Sequence, residues 1–502
     1  MVLATTACAV LVQTLGASFN YILNDMLRDL NATDVQSEIA RQMGSVGALL
    51  VIFIAGAIGQ RLGSRRVLLA CSAIYAIGCA VVAVSHSMSV AATGLLLANV
   101  GKSALLVVAL AAISASVRGR DGRATAFAVF STAVPLAYVF MPVLAGGIVE
   151  SVGWRWVAVI WISAGCLAVL LVWRLMEPDS TPSESTGEML TPGLAGVLLA
   201  AAVETITLWS EHGVSSQVLV ALTVCAASTI ALTIALRRVS TPSLDLTPLR
   251  NGGFVLLLVV LILTLFPNLF FYMTMALQYV SDLPPVEVAL VMTPAQLAAV
   301  AGAALSARML RRWGITRSGT LMMVLVAATL FASALLHIHG TLWLAVVIMC
   351  VYSAAASGSG VAVTNAIMNT AATNKDGDAS AFRGAAANLG AAIGVAGMTA
   401  IVMVAVSQSL QHESNRAGIS PATAREVVAS SVRGATPQET SSQYAVPLSD
   451  VSEIDELRRR ADLGGFRAQG IVGGMVTLAG AGLFLVARRR REHTRAANPS
   501  AA

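Results

Sequence analysis

The stretch AGAIGQRLGSRR, residues 55–66, has a counterpart in AGAALSARMLRR, residues 301–312. Each places Ala-Gly-Ala near the end of a long apolar run and an arginine cluster just beyond it. A motif that recurs at the same point of two apolar runs, in the same orientation, marks a chain built as two parallel helical halves. In that architecture the substrate site lies between the halves, near the bilayer midplane.

The composition agrees. Of 502 residues, 56% are hydrophobic and only 12% are charged, against roughly 25% charged in ordinary soluble domains. The mean hydropathy is +0.77. No soluble fold of this size hides so much apolar surface, so the expected class is an all-α polytopic membrane protein whose first partner is the lipid bilayer. The net charge of +6 is read as arginine held in cytoplasmic loops, not as a nucleic-acid surface. Only Lys102 and Lys375 are lysines among the 32 basic residues. With abundant Ala, Gly and Val, this points to a GC-rich bacterial genome, hence to a bacterial plasma (inner) membrane. The cysteines Cys8, Cys71, Cys79, Cys166, Cys225 and Cys350 are irregularly spaced in apolar segments, which indicates neither disulfides nor a metal site. Met1 to Leu23 carry no basic n-region and read as a first spanning helix.

A spanning helix needs ~20 apolar residues. Fourteen segments qualify, at about 3–23, 43–60, 67–85, 91–117, 125–149, 156–175, 193–210, 216–236, 254–279, 286–307, 319–337, 341–366, 384–407 and 469–487. Arginines concentrate in the even-to-odd connections, including Arg61, Arg65, Arg66, Arg118, Arg237, Arg308, Arg311, Arg312 and Arg383, and in the tail at Arg488 to Arg491. By the positive-inside rule both termini are cytoplasmic. The expected units are an N-terminal six-helix half (1–175), linkers with two extra helices (176–253), a C-terminal six-helix half (254–487) and a basic cytoplasmic tail (488–502). Residues 408–468 form an external segment. In it, Ser420-Pro421 starts one short helix, and Ser449-Asp450 caps another that ends at Gly464-Gly465.

Lys102 is the one charged residue between Ala91 and Val117. Gly101-Lys102-Ser103 is not a phosphate loop, because Leu96 stands where the motif needs glycine and the flanks are apolar. A charge near the middle of a spanning helix, ~15 Å from either end, costs ~2.5–3.5 kcal/mol on insertion scales. With Asn99 and Ser103 it forms a polar face expected to point into a central cavity. Three roles stay open: a titrating cation that couples transport, a fixed charge for an anionic substrate, or a structural lysine. Glu204 is the second charge inside an apolar helix. It is read as structural or headgroup-facing, with proton relay as the alternative. Further polar candidates for the path are Asn20, Tyr21 and Asn24 in helix one, Asn268, Tyr272 and Gln278 in helix nine, Asn365 and Asn369 in helix twelve, and Asn388 in helix thirteen. No HExxH, GxSxG or paired catalytic carboxylates appear, which excludes the common enzyme classes.

Five stretches carry a resemblance: GAIGQRLGSRRVL (56–68), MPVLAGG (141–147), GWRW (153–156), LDLTPLRNGGF (244–254) and LQYVSDLPPVEVAL (277–290). Together, in order and over nearly the whole chain, they resemble the major facilitator superfamily and look most like its 14-helix drug:proton antiporter branch. The resemblance implies alternating access, with helices seven and eight extra and peripheral. It implies gating roles for Gly56, Gln60, Arg61, Gly63, Arg65 and Arg66 in the loop after helix two, and for Pro135, Pro142, Gly146 and Gly147 in helix five. Pro142 and Pro135 free backbone carbonyls and bend that helix, while Gly146 and Gly147 admit a close neighbour. Gly390, Gly394 and Gly397 offer a similar face for the halves to rock on. The chain departs from the family at charged positions. Gln60 replaces the usual loop acid, helix one has no embedded Asp near Leu15-Gly16, and Leu97 and Val100 stand where helix four usually carries Arg and Gln. The expected function is secondary active transport: proton-linked efflux of hydrophobic drugs or lipid-like compounds by a monomer, with no cofactor beyond the proton-motive force. The alternatives are an uncoupled transporter of an anionic or lipid substrate, and a non-transporting scaffold.

Overall fold

The computed structural model describes residues 1–32, 34–117, 120–133, 136–177, 188–213, 215–239, 245–279, 281, 283, 285–336, 342–370, 376–417 and 448–497. Among these residues all regular structure is helical. The first half holds α1 (Val2–Asp29), α2 (Asp34–Leu62), α3 (Ser64–Ala83), α4 (Met88–Ser116), α5 (Arg120–Ala133), α6 (Leu136–Val152) and α7 (Trp154–Leu175). Next come α8 (Leu190–His212), α9 (Ser216–Arg238) and the single turn α10 (Thr247–Arg250). The second half holds α11 (Gly252–Leu265), α12 (Leu269–Tyr279), α13 (Pro285–Ser333), α14 (Leu342–Met368), α15 (Asp376–Ala417) and α16 (Leu448–Ala497). Eleven stretches among the described residues are long and apolar enough to cross a membrane, and Met43–Gly59 and Leu136–Val152 are shorter apolar helices.

The two halves repeat one another. In the first, α2 and α3 both pack on α4; in the second, the two arms of α13 pack on α14. The turn between each pair of arms is a left-handed glycine, Gly63 at φ +86° and Gly314 at φ +78°. L-residues with a Cβ pay to adopt that geometry. A glycine turn thus stands between two helical arms in each part of the chain, but the Ala-Gly-Ala motif read from sequence does not fall in matching register. The Ala-Gly-Ala triplets stand at different distances from these turns. Gly302 instead meets α14, where a Cβ would lie 2.1 Å from the Ala354 carbonyl oxygen.

Two expected segments look different in space. Of helix five, α5 and α6 are described on either side of residues 134–135; Pro135 lies outside the described residues, while Pro142 sits inside α6. Helix nine breaks at Pro267-Asn268, with Asn268 at φ +34°. Backbone groups freed by a break inside a membrane must find partners within the protein. Here Gln469 Nε2 on α16 donates to the Pro267 carbonyl at 2.8 Å. The Leu269 N–H donates to Tyr352 Oη on α14 at 3.2 Å.

The second difference is the external segment. The helix starting near Ser449-Asp450 does not end at Gly464-Gly465. It runs on as α16 for 50 residues, while α15 extends to Ala417. The two glycines are contact points rather than stops. Gly464 faces Ser409, and Gly465 faces Val402 and Val406. Leu410, Leu457 and Ala461 form a small core between the extended arms. Where it is described, the segment is thus an antiparallel pair of extended helix ends. The helix proposed from Ser420-Pro421 lies outside the described residues.

Two readings of small residues are corrected. A Cβ at Gly146 or Gly147 would meet nothing within 4 Å, so these glycines admit no neighbouring helix. The face of Gly390, Gly394 and Gly397 does pack tightly, but against Ile262 and Phe266 at the α11 end, inside its own half. It holds the half together rather than letting halves rock. Of the extra helices, α8 is not peripheral. It packs on both α2 and α15, so closely that a Cβ at Gly196 would lie 2.2 Å from the Leu50 carbonyl oxygen. Its neighbour α9 is the outer one, with Leu219, Val220 and Ile230 exposed.

Candidate substrate and ion site

Lys102 is the middle residue of α4. Its helix is placed by Gly101, which lets α3 approach: a Cβ there would lie 2.5 Å from the Tyr75 amide nitrogen. The Gly-Lys-Ser run is therefore part of a helix–helix seam. On the other side of α4, Lys102 faces a cavity of about 280 Å³ lined by Leu15, Gly16, Phe19, Gly44, Ser45, Ala48, Leu95, Asn99, Lys102 and Asn388. These residues come from α1, α2, α4 and α15, so the cavity lies between the two halves. Lys102 makes no hydrogen bond or ion pair among the described residues.

Its two companions divide. Asn99 lines the cavity and donates to the Leu95 carbonyl of its own helix at 2.9 Å. Ser103 turns away and donates to the Ala48 carbonyl of α2 at 2.9 Å, fastening α4 to α2. Asn388 closes the far wall and donates to the Gly384 carbonyl at 2.9 Å.

The other candidates are scattered. Asn20, Tyr21 and Asn24 belong to α1 and Gln278 to α12, but their side chains lie outside the described residues, as does that of Gln60. Asn268 marks the helix break. Tyr272 ties α12 to α15 through Thr399 Oγ1 at 3.1 Å. Asn365 and Asn369 sit at the arginine-rich end of α14 rather than at the cavity. Asn369 Nδ2 donates to Asn365 Oδ1 at 2.5 Å, and Asn365 Nδ2 is buried without an acceptor. Glu204 accepts from Ser45 Oγ at 3.4 Å. It lines a second, largely apolar pocket of about 480 Å³ between α2, α8 and α9.

The loop after α2 is anchored as well as charged. Arg65 donates to the Trp173 carbonyl at 2.8 Å, satisfying the C-terminal end of α7, where a cation is also favoured by the helix dipole. Arg61 donates to the Glu188 carbonyl at 3.4 Å, just before α8. Gly56 is buried in α2 and Arg66 is exposed.

Sequence reading missed the floor of the cavity. Arg383 was counted among loop charges, yet it lies inside α15, with Nε donating to Thr364 Oγ1 of α14 at 2.9 Å. Around it, the start of α15 wedges between the halves. Ser380 Oγ donates to the Val107 carbonyl of α4 at 2.9 Å. The Phe382 ring meets Phe53 of α2 at 5.4 Å and Phe254 of α11 at 6.2 Å, both edge-on. Arg311 of α13 adds a bond to Thr125 of α5 at 3.3 Å. The available signal was in DASAFRGAAANLG (378–390): one aromatic and one arginine among residues small enough to let helices close in. The halves are joined at the arginine-rich end, below Lys102.

At the opposite end, the GWRW stretch acts as a clasp. Trp154 Nε1 donates to Asp29 Oδ2 at 3.1 Å, and Arg155 forms an ion pair with the same carboxylate. Arg155 also donates to the Ser85 carbonyl at 3.0 Å and lies over the Trp154 ring. The bond from Arg155, then that from Trp154, holds the Asp29 carboxyl below its ordinary range.

Known proteins fit this geometry. Residues 4–395 match the family model of the Major Facilitator Superfamily. The riboflavin transporter RibZ of Clostridioides difficile is 24% identical over 403 residues, covering 79% of this chain and 86% of that protein. The multidrug resistance protein Stp of Mycobacterium tuberculosis is 24% identical, covering 74% of this chain and 70% of its own length. The lincomycin resistance protein of Streptomyces lincolnensis is 25% identical, covering 69% and 72%. Among solved structures, the human organic anion transporter MFSD10 superposes with a TM-score of 0.61 at 14% identity, covering 96% of this chain and 97% of that one. The E. coli fucose:proton symporter FucP gives 0.55 at 12% identity, covering 92% and 98%. Two pseudo-repeated helical halves around a central cavity, matched by the family over most of the chain, make this protein a member of the major facilitator superfamily, a transporter and not an enzyme.

Proposed function

We propose that this chain is a secondary active exporter of hydrophobic small molecules, working by alternating access and drawing on the proton-motive force. The observation that carries this reading is Lys102, a cation at the middle of α4 facing a cavity between the halves. Relatives named for multidrug and lincomycin resistance support export, and a relative named for riboflavin supports a bulky organic cargo. The chain crosses a bacterial plasma membrane fourteen times as a monomer, with α8 and α9 as the added pair and no bound cofactor. The arginine-rich end, and with it both termini, lies in the cytoplasm. The Phe53–Phe382 floor then shuts the cytoplasmic side, and the Lys102 cavity faces outward.

Full-length protein in proteoliposomes tests this, with lipophilic dyes followed under a pH gradient and then under a membrane potential. Dye movement that Lys102→Ala abolishes is the expected result. Wild-type rates in Lys102→Ala would remove Lys102 from the path, and no movement under either gradient would overturn export itself. A second reading, in which Lys102 is a fixed charge for an anionic cargo, is favoured by its having no acid partner among the described residues.

A further inference from the structure

The turn at Gly314 gathers arginines that the protein itself does not use. Arg308 and Arg312 lie before it on α13 and Arg317 lies after it, and all three are exposed. None of them has a hydrogen-bond, ion-pair or ring partner among the described residues. The matching turn of the first half is employed differently. There Arg61 and Arg65 donate to the Glu188 and Trp173 carbonyls. The contrast recurs within the Gly314 turn, where Arg311 reaches Thr125 of α5 while Arg308, Arg312 and Arg317 stay exposed. A second element brings charge to the same place. Arg488 Nε of α16 donates to Thr316 Oγ1 at 3.3 Å, and α16 continues through Arg489, Arg490 and Arg491.

Helical spacing tells which way these arginines face. On the first arm of α13, the exposed Leu297 and Leu305 share one face with Arg308 and Arg312. On the second arm, the exposed Leu321 and Val324 share one face with Arg317. Rows of exposed large apolar side chains on a membrane protein lie against acyl chains. Each row therefore ends in arginine, and between the two stands Trp313, also exposed. Tryptophan belongs at the headgroup level of a bilayer. The positive-inside rule accounts for arginine on this side of the membrane, but not for arginine left unpartnered at the end of two lipid-facing rows. A guanidinium fork matches two phosphate oxygens at once. A free phosphate would make no use of the apolar rows, and an acidic protein would not reach the leucines below the headgroups. We propose that the Gly314 turn is a binding site for an anionic phospholipid. Its phosphodiester lies between Arg312 and Arg317 beside Trp313, and its acyl chains run along Leu305 and Leu321. The headgroup then sits in the same turn as Arg311, next to a contact that joins the halves.

Native mass spectrometry of the full chain reads the site. The protein is delipidated in detergent and offered equal amounts of phosphatidylglycerol, which is anionic, and phosphatidylcholine, which is not. Wild type is expected to retain phosphatidylglycerol in preference by about fivefold or more, the order set by one or two arginines at an anionic surface. Arg312→Gln combined with Arg317→Gln is expected to erase the preference. If that double variant fails to fold, Arg312→Gln alone decides, with a loss of about threefold expected. Arg237→Gln combined with Arg238→Gln removes the same charge from the exposed end of α9 and is expected to leave the preference in place. Inorganic phosphate in large excess is expected not to displace the lipid. Equal retention of both lipids by wild type, or a preference that survives the loss of Arg312 and Arg317, overturns the proposal. An equal loss in the α9 variant overturns it too, because net charge alone would then set the preference. Displacement by inorganic phosphate would mean a simple anion site, with no role for the apolar rows. Because binding is what is read, the outcome does not depend on whether the chain exports a dye.

Discussion

Gly101 and Lys102 are neighbours with opposite duties, one packing α4 onto α3 and the other facing the cavity. The first duty is testable alone. In Gly101→Ala the new methyl meets the backbone of Tyr75 and Cys71, which cannot swing aside, and overpacking of this kind costs about 1–3 kcal/mol. The solubilised variant should melt several degrees lower. An unchanged melting temperature would mean that the α3–α4 seam is looser than the structure shows. Asp29 gives a second test. Its folded carboxyl is held below its ordinary value of 3.8 by Arg155 and Trp154. A depressed acid contributes stability that is complete above its unfolded value and lost as pH falls through the folded one. The clasp should therefore be intact at neutral pH and loosen only below about pH 4, the unfolded range for Asp. Asp29→Asn should lower the melting temperature modestly at pH 7, because the pair is about half exposed and such pairs are worth ~0.2–1 kcal/mol. It should flatten the loss of stability between pH 5 and pH 3. A variant with the same acid limb as wild type would show that Asp29 is not the group being titrated.

The break between α11 and α12 shows what an element needs when proline interrupts it in a membrane. Pro267 and Asn268 release backbone groups, and two distant side chains, Gln469 and Tyr352, receive them. Tyr352→Phe leaves the Leu269 N–H unpaired in a buried site, at a cost of about 1–3 kcal/mol; bilayer averages for such bonds are nearer ~0.6 kcal/mol. Gln469→Leu strands the Pro267 carbonyl in the same way. Each should lower the melting temperature, and the pair should be less than additive because both support one break. Full additivity would mean that the two bonds act independently. The sequence announces the break itself, since Pro-Asn inside an apolar run has few other readings. The partners are not legible, because residues 352 and 469 reach the break only through the packing of the second half. The same limit hid the role of Arg383, which looks like a loop charge until the start of α15 is seen to be helical. Gly146 and Gly147 failed in the opposite direction: the small residues were visible, but whether a helix lies opposite them is a tertiary fact. Lys102 was legible because charge and depth can both be counted along one helix.

For the molecule as a whole, apolar periodicity and the arginine pattern led to a reading of two helical halves, and Gly63 and Gly314 stand at corresponding turns between packed arms. What the pattern could not give is the state of the molecule, because that depends on which contacts join the halves. Here they include Ser380 to Val107 and Phe382 to Phe53, at the arginine-rich end. Alternating access requires this end to open. Gly384 lies in the same wedge, where a Cβ would stand 3.5 Å from Ile52 Cγ2 of α2. The double substitution Ile52→Cys with Gly384→Cys should therefore accept a short thiol-reactive bridge, provided the native cysteines are first replaced. Bridged protein should lose transport and recover it on reduction. It should still bind ligand at the Lys102 cavity, because the floor it locks is already shut in this state. Both single-cysteine variants, treated identically, should keep transport. If the bridged protein carried substrate at the unbridged rate, the α2–α15 floor would not be a gate, and the halves would have to part elsewhere, at the contact between Arg311 of α13 and Thr125 of α5.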